Sequence, residues 1–151
     1  MRQVGWCVLL AAIVVALAGC GGGGEKKGQE SEQPSAAAKA ACTGTALADS
    51  EKLKLPPSFP QIEEDKVTYT QQSSEGPTNV VEGYFHGDVK EAHDEYKKEL
   101  QGSGFKILFD ELEEHDSELS WKGAGRTGQV ALREECGESD KTYVHITNRP
   151  E

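Results

Sequence analysis

The sequence predicts an α+β fold: an antiparallel sheet of about five to six strands with one helix packed on one face, in the order β-β-α-β-β-β-β. Three observations carry this. Residues 67–70, 80–86, 105–110, 119–121, 130–132 and 143–146 alternate or concentrate β-branched, aromatic and apolar side chains. One stretch among them, after Gly87-Asp88, repeats its apolar residues at helical spacing. The connections between the later strands are short and Gly-rich or acidic, which favours consecutive antiparallel pairing.

Leu55-Pro56-Pro57-Ser58-Phe59-Pro60 opens the domain. Its three prolines fix φ and withdraw donors, so it reads as an extended strap with Leu55 and Phe59 packing down. Val67, Thr68, Tyr69 and Thr70 form a first strand, residues 80–86 a second, and Ser74-Glu75-Gly76-Pro77 turns the chain between them. Asp88 then offers a helix N-cap, and Val89, Ala92, Tyr96 and Leu100 share one face. Glu91, Asp94 and Glu95 lie early and Lys97 and Lys98 late, which suits the helix dipole, and Gly102 and Gly104 end the helix. Phe105, Ile107 and Phe109 alternate with Lys106, Leu108 and Asp110, a third strand with both faces partly covered. Leu119 with Trp121, Val130 with Leu132, and residues 143–146 mark three more, and no internal repeat is evident.

Ahead of this domain, Arg2 precedes an uncharged apolar run from Val4, and Leu17-Ala18-Gly19-Cys20 closes it. The charge, the short apolar centre and the small residues before a cut are those of an exported leader. The four last residues resemble the lipobox of bacterial lipoproteins. That resemblance implies a signal peptide over 1–19, removed on export, and a diacylglycerol (palmitate-type) anchor on Cys20. An uncleaved membrane span is the weaker reading, because fifteen apolar residues fall short of the ~20 that cross a bilayer, and four glycines follow. The implied location is the bacterial cell membrane or outer membrane, with the domain facing the extracytoplasmic side. Gly21 stands where an Asp would mark inner-membrane retention in a Gram-negative cell. A second, looser resemblance spans residues 53–147. Tyr96-Lys97, Leu100, and then Gly104-Phe105 leading into a strand are similar to a pattern in small exported bacterial domains, and it implies a fold rather than an activity.

Residues 20–41 then become the lipidated cysteine and a disordered tether of Gly, Ser, Gln, Glu, Lys and Ala, with a partly helical stretch at 36–41 compatible with it. Residues 42–151 form the single domain. Cys7 leaves with the leader and Cys20 carries lipid, so Cys42 and Cys136 remain as an even pair. In an oxidising compartment a disulfide is the economical reading, with two free thiols as the alternative. Loss of Arg2 lowers the basic count from 16 to 15 against 26 acidic residues, a net charge of −11. A surface so acidic is repelled by phosphates and argues against nucleic acid.

Three motifs invite chemistry. Gly123-Ala124-Gly125-Arg126-Thr127-Gly128 matches G-x-G-x-x-G, but the alternating Gln129-Val130-Ala131-Leu132 after it is strand rather than helix. A hairpin loop with Arg126 exposed at its tip is the better account. Seven of the nine residues 110–118 are acidic or histidine, yet they lack the D-x-D-x-D-G order of a calcium loop and read as a solvated acidic turn. His86 and His93 bracket the helix start and read as surface histidines, and Ser103 sits in no nucleophile elbow. No catalytic residue, metal or cofactor is therefore expected. The function expected is a non-enzymatic, membrane-anchored monomer that binds a protein or small ligand of the cell envelope. The alternatives are an envelope enzyme of hydrolase type, or a structural or assembly lipoprotein.

Overall fold

The computed structural model describes residues 34–48 and 52–151. The leader, Cys20 and the tether up to residue 33 lie outside the described residues. The domain is α+β, with two helices and six strands in the order α1(Ala36–Thr43), β1(Val67–Glu75), β2(Thr78–His86), α2(Val89–Gly102), β3(Lys106–Leu112), β4(Asp116–Gly123), β5(Arg126–Arg133), β6(Lys141–Pro150). All six strands join one antiparallel sheet in the order β1-β2-β6-β5-β4-β3. Consecutive pairing thus holds for β1–β2 and along β3 to β6, but β6 returns between β2 and β5 and closes two hairpin units into one sheet. α2 carries the chain from β2 to β3 at the far edge.

α2 is set by its own sequence. Asp88 and Glu91 form a reciprocal capping box, with the Glu91 N–H donating to Asp88 Oδ1 at 2.8 Å and the Asp88 N–H to Glu91 Oε2 at 3.2 Å. At the other end the Phe105 N–H reaches Leu100 O and the Gly104 N–H reaches Gln101 O, a paired closure that needs the φ of +81° found at Gly104. Val89, Ala92, Tyr96 and Leu100 are buried against Leu119, Trp121, Val130, Leu132, Val144 and Ile146. The strap adds Phe59 and Ile62 to the same core, where Phe59, Phe105 and Trp121 meet ring to ring at 5.1 to 5.9 Å. A Cβ at Gly128 would lie 2.5 Å from the Trp121 ring, so the indole has space only over a glycine.

The opposite face carries the second helix. Tyr84 and Tyr143 are cross-strand partners, each one residue out of phase with the core side chains of its strand, and they pack with Ala38, Ala41, Cys42 and Cys136. Cys42 and Cys136 form a disulfide, their Cα atoms 5.4 Å apart across 94 residues of chain. The Thr70 hydroxyl donates to Ala41 O at 2.9 Å, and the Ser35 N–H to Glu135 Oε2 at 3.0 Å. Ordered structure therefore reaches back into the segment expected as tether: Ser35 caps α1 by accepting from the Ala38 N–H at 3.1 Å, and Ala38 and Ala41 are fully buried. The reason is tertiary. An eight-residue helix is marginal alone, and here a disulfide and two tyrosines hold it.

Candidate functional site

The β4–β5 hairpin disposes of the glycine motif. Ala124 at φ 53° and Gly125 at φ 72° make the two-residue turn that the twist of paired strands requires. Arg126 is not at an exposed tip. It begins β5, and its guanidinium donates to Asn148 Oδ1 and Asn148 O, with a longer bond to Pro77 O at 3.4 Å. Asn148 is itself buried and donates to Lys54 O, so the arginine ties the strap end of the sheet together.

The acidic stretch is a hairpin rather than a loop. Asp110 and Glu111 lie on β3 and Asp116 and Glu118 on β4. His115 bonds Glu134 at 2.6 Å, which raises its pKa above the usual 6.5. Alternation sends Asp110 to the α2 side, where it accepts from Lys97 at 2.6 Å. Glu111 faces the other way, opposite Glu118.

His93 departs from the surface position expected for it. It is 3% exposed and lies in the apolar stripe of α2. The spacing 89, 92, 93, 96 was available in the sequence and places it there. Its Nδ1 is 2.7 Å from the Ser117 hydroxyl and its Nε2 is 3.3 Å from Asp110 Oδ1. Serine, histidine and carboxylate in line are the parts of a hydrolytic triad. Ser117, however, is 1% exposed on an interior strand, neither cleft described below reaches it, and Lys97 neutralises the carboxylate. Burial lowers the His93 pKa from 6.5, with Asp110 opposing that shift. The cluster satisfies a buried imidazole between α2, β3 and β4.

His86 takes no part in it. It bonds the Thr68 hydroxyl at 3.1 Å and borders an open basin of about 440 Å³ with Lys66, Glu91, Asp94, Glu95 and Lys98. The charges there are already mutually paired: Lys66 reaches Glu95 at 3.2 Å, Lys98 reaches Glu99 at 2.8 Å, and Lys90 holds Asp94. On the α1 face, Glu82 Oε1 accepts from the Tyr143 hydroxyl at 2.5 Å and lies 3.2 Å from His145 Nδ1. Burial, and then the bond to Glu82, raise the Tyr143 pKa, which keeps the phenol a donor.

The larger cleft, about 550 Å³, opens between the strap and β1. Leu53, Leu55, Phe59, Ile62, Val67 and Tyr69 form its walls. The Tyr69 hydroxyl bonds Tyr96 of α2 at 3.1 Å, and burial pushes its pKa up to about 12, so it is a neutral wall rather than an acid–base group. The segment after α1 closes one side, where the Leu47 N–H donates to Tyr69 O at 2.9 Å. Pro56, Pro57 and Pro60 signalled the strap, but only the tertiary structure shows that it arches over β1 to leave a cleft. Among the described residues no three His, Cys, Asp or Glu side chains gather in metal-binding geometry, and no helix is long and apolar enough to cross a membrane. Compared with known families, with curated proteins and with solved structures, the chain matches none.

Proposed function

We propose that this chain is a lipid-anchored extracytoplasmic binding module of the bacterial cell envelope, without catalytic activity, whose strap cleft takes an apolar group of a small ligand or an envelope protein. The cleft carries the reading. It is half-open, with the apolar side chains of Leu53, Leu55, Phe59, Ile62, Val67 and Tyr69 beside the charged Lys52 and Glu64, whereas the serine and histidine of the Ser117–His93–Asp110 cluster are buried. The disulfide supports the compartment, because such bonds persist outside the reducing cytosol. The lipobox at Leu17-Ala18-Gly19-Cys20 supports the anchor.

Two measurements test this. Cys20→Ala should move the protein from the membrane fraction to the soluble one, and retention in the membrane would refute the anchor. A panel of small apolar and aromatic envelope compounds should raise the melting temperature of the wild type but not of Phe59→Ser. No shift with any compound would count against the cleft.

One observation favours a second reading, an assembly lipoprotein. Among the described residues, Leu108, Phe109 and Leu112 are the exposed large apolar ones, and all three lie on the edge strand β3.

A further inference from the structure

The sheet has two edges, and they are treated differently. β1 is bordered by the strap and accepts the Leu47 N–H on Tyr69 O. Among the described residues β3 ends the sheet with no partner strand on its outer side, and it carries Leu108 at 51%, Phe109 at 47% and Leu112 at 41% exposure. We propose that the outer edge of β3 pairs antiparallel with β3 of a second copy of this chain, joining two sheets across a twofold axis, in place of the monomer expected from the sequence. The proposal deepens the assembly reading alone and is independent of the cleft.

Charge order selects this partner. Phe109 pairs with Ser120, which lies between the fully buried Leu119 and Trp121, so Phe109 faces away from α2. By the same ladder Lys106 lies opposite Lys122, and Glu111 opposite Glu118, on that same outer face. The face therefore reads as two lysines, an apolar centre, and two glutamates. Like charges directly opposite each other in a ladder are destabilising. Lys106, Lys122 and Glu111 make no ion pair among the described residues, and only Glu118 has a cationic neighbour, Arg133 at 3.7 Å. An antiparallel copy reverses the order, so that each lysine end meets a glutamate end and the apolar centres coincide.

The strand irregularity permits the register. Residues an odd number apart on a regular strand point to opposite faces, so Lys106 and Glu111 would not share one. The register shift between Ile107 and Phe109 inserts Leu108 and puts them on a common face. Lys106 set against the second copy's Glu111 also sets Ile107 against Asp110, and Leu108 against Phe109. Ile107 and Asp110 both face α2, and Lys106 and Glu111 both face away from it, so these two pairings are side-matched on either side of the inserted Leu108. Bulges and charges ordinarily blunt an edge. Here the opposite ends carry opposite sign, which a reversed copy satisfies.

The test uses the full chain in detergent with micelles in excess. Light scattering should find a concentration-dependent dimer. A zero-length carbodiimide should join Lys106 to Glu111, which lie ~16 Å apart within one strand at ~3.3 Å per residue, so the linkage must run between copies. Lys106→Glu and Glu111→Lys should each weaken the dimer roughly tenfold, and the double variant Lys106→Glu/Glu111→Lys should restore it. These side chains are solvent-exposed, and an unchanged melting temperature in each variant will separate loss of pairing from loss of fold. A monomer at every concentration, or a double variant as weak as either single one, overturns the proposal. A ligand-induced thermal shift in a monomeric protein would leave the cleft reading standing.

Discussion

The two helices lie on opposite faces of one sheet and owe their existence to different causes. α2 has fourteen residues, a reciprocal capping box, a glycine closure and an apolar stripe, all encoded within its own segment. α1 has eight residues, six of them alanine or lysine before Cys42, with Ser35 as its N-cap and no capping box. What holds it lies far away in sequence: Tyr84, Cys136 and Tyr143. One helix organises the core, and the other is fastened to it.

Reduction of Cys42–Cys136 is the strongest way to break this contrast. Opening a loop of 94 residues should cost the domain up to about 4 kcal/mol. Hydrogen exchange should show Ala36–Thr43 losing protection while Val89–Gly102 keeps it, and equal loss in both helices would refute the distinction. On the other face, Leu100→Ala removes a fully buried side chain from α2 and should cost about 3 kcal/mol, read as a lower urea midpoint for the whole domain. Asp88→Ala should cost about 1 kcal/mol of global stability. Ser35→Ala, with the disulfide intact, should speed exchange in α1 and leave the midpoint unchanged.

The smallest effect is pH-dependent and again differs by region. Burial lowers the His93 pKa, so below pH 6.5 the unfolded chain takes up a proton that the folded chain refuses, and stability falls toward acid. His115, raised by its bond to exposed Glu134, acts in the opposite sense: its contribution is present below 6.5 and is lost as pH rises through the raised value. The change in urea midpoint from pH 7.5 to 5.5 should therefore be more destabilising in the wild type than in His93→Gln. An unchanged slope in that variant would remove His93 as the cause.

The hairpin of β1 and β2, the helix from Asp88 and the four later strands were legible because each rests on local terms: a turn residue, a cap, a period. His93 was legible too, since it stands three and four residues from neighbours on the buried stripe. Its polarity masked it, and only Ser117 and Asp110 explain how an imidazole is accommodated there. Arg126 looked like a loop tip because nothing nearby in sequence reveals Asn148. Consecutive pairing failed at one place, β2 with β6, where the partners are some sixty residues apart.

By itself, then, the sequence determined the kinds of elements, their order, the even cysteine pair and the acidic balance, because these follow from side-chain chemistry and from interactions within a turn or two of chain. The tertiary structure alone decided that β6 enters the middle of the sheet, that an alanine-rich stretch becomes a helix docked through Ala38, Ala41 and Cys42, and that β1 is bordered while β3, among the described residues, has no partner on its outer side. Those outcomes depend on which distant surfaces meet, and no local propensity encodes that.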